Sequence, residues 1–257
     1  MAAFSIGSWS FHELFEAGKM NLFGYLESLK YRYHLRDADI WSEMILSVED
    51  DYIQLLKHTL EEEDISLACL ASDGTGIWHR DPEIREQHHQ LALRYLDIAT
   101  TLGAHMLRID PGSTGAELTE EEFDFVVNRY REYAHIARER GFYVGPQTHQ
   151  PAVQVPTNVK RLYDAISSDA FGIVLDVDRW LVDESVGDEM CAPYARHVHF
   201  DSSRTKSSNE LEGKVAILQK AGYSGCWALE YRLGSSEYLG VAVDLAELKR
   251  AVWNSAR

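Results

Sequence analysis

Eight short β-rich runs, each leading into a helix-like pattern, recur along this chain at intervals of mostly about 25–40 residues, the length of one strand, one helix and two loops in a βα unit. The runs cover 4–9, 38–41, 65–70, 106–109, 142–145, 172–175, 197–200 and 226–230. Strict alternation of β and α requires a mainly parallel sheet, and eight units let that sheet close on itself as a (β/α)8 TIM barrel. The length of 257 residues suits one such domain across 1–257. An open doubly wound sheet is the competing architecture, but no G-x-G-x-x-G or P-loop pattern follows any run. The Gly-rich stretch Asp73-Gly74-Thr75-Gly76 is only long enough for a loop.

Helix punctuation supports the same reading. Asp81 can cap a helix whose first turn accepts Pro82, and Gly103 can end it. Thr119-Glu120-Glu121-Glu122 has the capping-box pattern, with Gly141 as its stop. A third helix is expected from Pro156 to about Ile166.

Acidic residues outnumber basic ones by 41 to 25, a net charge of −16 that repels phosphodiester backbones and anionic membranes. Nucleic acid and membrane partners are therefore not expected. No basic n-region with a long apolar run opens the chain, so a cytoplasmic enzyme is the default expectation. Cys69, Cys191 and Cys226 lack paired metal-type spacing and read as reduced packing residues.

The chemistry gathers where the last four strands end. They finish as Gln147-Thr148-His149, Asp176-Val177-Asp178-Arg179, His199-Phe200-Asp201 and Glu230-Tyr231-Arg232. Alternation lets Gln147 with His149, Asp176 with Asp178, and His199 with Asp201 share an inward face. Such groups are costly to bury unless they are paired or bind a cation. One imidazole among oxygen donors suits Mn²⁺ or Mg²⁺, with Co²⁺ or Zn²⁺ also open. Taken singly, Asp176 reads as a cap or turn residue and neither His199 nor Glu230 marks a ligand by itself, and their succession on consecutive strands makes the metal reading. Asp178, Asp201 and Arg232 read equally well as loop ion pairs or as substrate contacts. Trp9, Phe11, Trp41 and Trp78 could present faces to a sugar ring or simply pack the core.

At these residues the chain resembles the sugar phosphate isomerase/epimerase family with the xylose isomerase-like TIM barrel. The resemblance runs from Ser8-Trp9-Ser10-Phe11 through Asp81-Pro82-Glu83-Ile84-Arg85 and Arg108-Ile109-Asp110-Pro111-Gly112 to Trp227-Ala228-Leu229-Glu230-Tyr231. It implies a divalent metal held by four ligands, of which Asp176, His199 and Glu230 match, while Gln147 stands where the family has a Glu. A Gln oxygen can bind a hard metal but cannot take a proton as a carboxylate does. The resemblance also implies acid–base chemistry by two metal-bound Glu residues, of which only Glu230 is present here as base; either another group, His149 first, supplies the second proton transfer, or one base suffices, or catalysis has been lost. Arg179 occupies the place of a family His, and Arg179 and Arg204 could hold an anionic part of the substrate. The expected function is metal-dependent isomerisation or epimerisation of a keto-sugar by proton abstraction beside its carbonyl. A lyase or dehydratase acting on an inosose or 3-keto-glycoside needs only one base and is the alternative. A non-catalytic sugar-binding barrel is the third reading. Self-association as a homo-oligomer stays open.

Overall fold

The computed structural model describes residues 2–112, 115–203, 208–232, 234 and 236–255. All eight expected strands form: β1 Phe4–Ile6, β2 Asp37–Trp41, β3 Ser66–Ala71, β4 Met106–Arg108, β5 Tyr143–Gly145, β6 Ile173–Asp176, β7 Ala195–Asp201 and β8 Trp227–Glu230. Every strand pairing is parallel, in the order β1-β8-β7-β6 and β2-β3-β4-β5. Isolated bridges close the remaining seams, Gly7 with Asp39 on one side, and Val144 with Phe171 and Gln147 with Val174 on the other. The result is the expected barrel.

Each seam has a local cause. Between β5 and β6 the backbones run so close that a Cβ on Gly145 would lie 1.7 Å from the Gly172 carbonyl oxygen, so only glycine fits. Between β1 and β2 the Tyr25 hydroxyl is inserted, donating to the Ile6 carbonyl at 2.6 Å and accepting from Asp39 N–H at 2.9 Å. A side chain there satisfies backbone groups that strand pairing leaves open.

The helices wrap the barrel as α1 His12–Glu16, α2 Leu22–Glu27, α3 Asp50–Glu62, α4 Pro82–Leu102, α5 Glu120–Arg140, α6 Pro156–Ile166, α7 Glu184–Cys191, α8 Ser208–Lys220 and α9 Glu237–Ser255. The expected caps form: Asp81 accepts Glu83 N–H at 2.9 Å, Thr119 and Glu122 make a reciprocal capping box, and Gly103 and Gly141 end α4 and α5 with positive φ. The first strand is shorter than expected. After Ile6 the chain turns into a 3-10 segment, Ser8–Phe11, in which Ser8 Oγ accepts Trp41 N–H at 2.8 Å, so Trp9 lies on a turn at the barrel end.

The main core lies between the barrel wall and the helices, with buried Leu70, Leu107, Val198 and Leu229 facing outward. Inside the barrel, Cys69, Met106 and Val174 make a separate small apolar cluster against Tyr143. Two residues further along β4 and β6, the inward positions become Arg108 and Asp176, so the interior changes from apolar plug to polar mouth within one layer. All three cysteines are buried and unbridged, and burial pushes the Cys191 thiol up to about 12. No helix among the described residues is long and apolar enough to cross a membrane.

Candidate active site

A cavity of about 180 Å³ opens at the C-terminal ends of the strands, lined by Trp9, Trp41, Asp73, Arg108, Gln147, His149, His199, Glu230 and Arg232, among others. This is the face on which barrel enzymes place their chemistry. A larger depression of about 490 Å³ at the other end is lined largely by loop and helix-end residues, and no set of donors converges there among the described residues.

On the β6–β8 side, Asp176, His199 and Glu230 are buried and each offers a donor atom, all within 4.8 Å of one another. The Gln147 amide closes the set, its Nε2 donating to Asp176 Oδ1 at 2.8 Å and facing His199 Nδ1 at 3.1 Å. The amide nitrogen thus sits between Asp176 Oδ1 and the His199 ring, at the point where these groups converge. Rotating the amide by half a turn presents Oε1 to the same point, so two carboxylates, an imidazole and an amide oxygen fit a hard divalent ion.

The electrostatics agree. Burial alone would raise the Asp176 carboxyl, but the His199 imidazole, then His149 and Arg179, hold it below the usual carboxylate range. Burial alone would lower His199, yet Asp39, Asp176 and Glu230 around it hold the imidazole well above its ordinary value. Three carboxylates therefore draw positive charge to this point. Arginines grip the outer oxygens only: Arg179 binds Asp176 Oδ2 at 2.7 Å, and Arg232 binds Glu230 Oε2 at 2.6 Å while its guanidinium lies 4.6 Å from the Trp9 ring centre.

The β3–β5 side is finished differently. Buried Arg108 bonds Asp110 Oδ2 and, at 2.6 Å, Asp73 Oδ1, whose partner oxygen accepts the Trp41 indole N–H at 2.7 Å. Asp110 also accepts Gln147 N–H at 3.1 Å and holds His149 Nε2 at 2.9 Å. Burial would raise Asp110, but Arg108 and then His149 hold it low.

Several expected placements change. Asp178 does not share an inward face with Asp176, because β6 ends at Asp176 and Asp178 adopts φ 62°. Its carboxylate pairs with Lys214 of α8, outside the cavity lining. Asp201 points Oδ2 at Arg232 Nε, 2.9 Å away, and Oδ1 at Ser203, so it orients Arg232 and does not line the cavity. Arg179 likewise turns back on Asp176. Trp9 and His149 do line the cavity, and Arg204 lies outside the described residues.

Asp39, Asp73, Arg108 and Asp110 were not singled out as site residues from the sequence. The signal was present in part: Asp37-Ala38-Asp39-Ile40-Trp41 and Arg108-Ile109-Asp110 place polar groups at alternate positions of buried strands, the same pattern that marks β6 to β8.

The profile of the xylose isomerase-like TIM barrel family matches residues 33–250. No curated protein matches the chain by sequence. Among solved structures it is similar in fold to an L-ribulose 3-epimerase, with TM-score 0.80 and 12 % identity over 100 % of this chain and 96 % of the other. A 3-keto-D-glucoside 4-epimerase of E. coli gives TM-score 0.75 at 15 % identity, covering 90 % and 94 % of the two chains. A xylose isomerase-like TIM barrel protein of Mycobacterium smegmatis in complex with magnesium gives 0.70 at 15 %, covering 90 % and 89 %. With the family profile spanning residues 33–250, most of the sequence, and the barrel matching these structures in fold, the chain belongs to the xylose isomerase-like TIM barrel family.

Proposed function

We propose that this protein is a metal-dependent isomerase or epimerase that moves a proton beside the carbonyl of a keto-sugar or related polyol. The observation that carries the reading is the convergence of donor atoms of Asp176, His199 and Glu230 within 4.8 Å of one another, with His199 and Glu230 lining the cavity. The names of the epimerases similar in fold point the same way.

Glu230 is the base in this reading. Both hydrogen bonds from Arg232 to Glu230 go to Oε2, which leaves Oε1 free of the guanidinium. Arg232 also fixes the carboxylate's orientation, which is the larger part of what a general base needs from its surroundings. His149 lies on the β5 side, three staves away, and returns or removes the second proton. Asp110 orients its ring through Nε2. When held by Asp176, His199, Glu230 and the Gln147 amide oxygen, Mn²⁺ or a similar hard ion supplies a Lewis acid for the carbonyl. Trp9, Trp41 and Asp73 on the cavity wall give it a mixed apolar and polar lining suited to a sugar. The protein's high negative charge fits a small-molecule partner in the cytoplasm better than nucleic acid.

One observation favours a second reading. With Gln147 in place of a carboxylate, the second metal-bound Glu that opposed acid–base chemistry would use is missing, and elimination needs only one base. Proton NMR in D₂O with Mn²⁺ and L-ribulose, D-psicose, D-fructose or a 3-keto-glucoside tests both. Solvent deuterium appearing beside the carbonyl with the formula conserved supports epimerisation. Release of water or aglycone moves the assignment to a lyase, and no exchange with any substrate removes the proton-transfer reading.

A further inference from the structure

Beneath the candidate ligands, β2 and β7 build a buried cluster that proton transfer does not use. Asp39 Oδ2 accepts from Nε2 of both His197 and His199, each at 2.7 Å, and all three residues are almost completely shielded from solvent. One carboxylate oxygen thus holds two imidazoles from alternate positions of the same strand.

The two histidines use this contact differently. His199 has its second ring nitrogen in the candidate site, with Nδ1 3.1 Å from the Gln147 amide nitrogen and 3.4 Å from Asp176 Oδ1. Among the described residues, His197 Nδ1 is buried without a protein hydrogen-bond partner, and the ring's bond is the one from Nε2 to Asp39. Burying an imidazole costs desolvation, and what His197 gives in return is a second donor to Asp39. Burial alone would raise the Asp39 carboxyl, and His199 and His197 together hold it low.

We propose that Asp39 is a positioning residue for the cation site, anchoring both rings through Nε2–H so that His199 presents Nδ1, and no other ring atom, to Asp176 and Glu230. The proposal rests on the reading of that site given above. The physical ground is the general behaviour of metal-ligating imidazoles, whose ligating nitrogen is fixed by the hydrogen bond that the other nitrogen makes. If the anchor is removed, the ring can turn and donate to the carboxylates it is meant to ligate beside. In this account His197 is an auxiliary donor that keeps the Asp39 oxygen in place, and it is not itself a ligand.

The test uses the full chain, ¹⁵N-labelled on histidine and stripped of metal. Two solvent-protected ring Nε2–H signals, from His197 and His199, are expected, and Asp39→Asn should lose or displace both with the far-ultraviolet circular dichroism unchanged. In an EPR titration with Mn²⁺ alone, Asp39→Asn should bind about 10–100-fold more weakly than wild type. His197→Asn should weaken binding less, because His199 keeps its own bond. A wild-type His199 without a proton on Nε2 would overturn the proposal, a result that needs no variant to fold. So would folded Asp39→Asn binding Mn²⁺ as tightly as wild type. If both Nε2–H signals are present but wild type binds no Mn²⁺, it is the cation reading that fails and not the placement of the ring.

Discussion

The two walls of the barrel mouth carry the same residue types and complete them in opposite ways. On the β3–β5 wall, Asp73 and Asp110 share Arg108, a guanidinium that is itself buried, so the wall's charges are balanced largely from within. On the β6–β8 wall, Arg179 and Arg232 are partly exposed and hold only the outer oxygens of Asp176 and Glu230, leaving the inner face rich in acceptors. An Asp at a strand end is therefore not a site by virtue of its type. What separates the walls is whether a buried cation already balances the charge.

The largest expected effect separates the walls by activity. Glu230→Gln keeps the shape of the β6–β8 wall and removes the carboxylate proposed as base, so turnover measured by deuterium exchange should fall by about 10²–10⁴-fold with the fold intact. Next is a stability effect on the other wall. Arg108→Met leaves buried Asp110 without its main partner and should cost about 3–5 kcal/mol in urea unfolding. A cost below about 1 kcal/mol there would show that the β3–β5 wall is not held by its internal pairing.

A smaller effect sharpens the contrast by adding charge. Gln147→Glu places a carboxylate beside Asp176 and His199 and should tighten Mn²⁺ binding by roughly tenfold in an EPR titration, because ligand charge count sets affinity at oxygen-rich sites. Weaker binding would place residue 147 outside the ligand set. The smallest effect belongs to Asp178→Asn. Lys214 keeps its bond to Asp188 at 2.8 Å, so stability should change by no more than about 1 kcal/mol and turnover should stay near wild type.

The sequence made one wall legible and left the other obscure for physical reasons. Strands such as β6 and β8 announce themselves because an apolar run buried on both sides ends abruptly in a carboxylate, and the caps at Asp81 and Thr119 are local signals within three residues. Asp39 meets His199 across 160 positions, and Arg108 meets Asp73 across 35, so no local pattern links them. Asp178 misled in the reverse direction. Its spacing from Asp176 implies a shared face, but alternation holds only while the strand lasts, and the chain turns at positive φ one residue after Val177.

The central claim is that the open wall of the mouth holds one divalent ion. Crystals of the protein grown with Mn²⁺ and measured at the manganese edge test it directly. A single anomalous peak is expected between β6 and β8, about 2.0–2.3 Å from donor atoms of Asp176, His199 and Glu230. No peak there at saturating Mn²⁺, or a peak bound only to other residues, would contradict it.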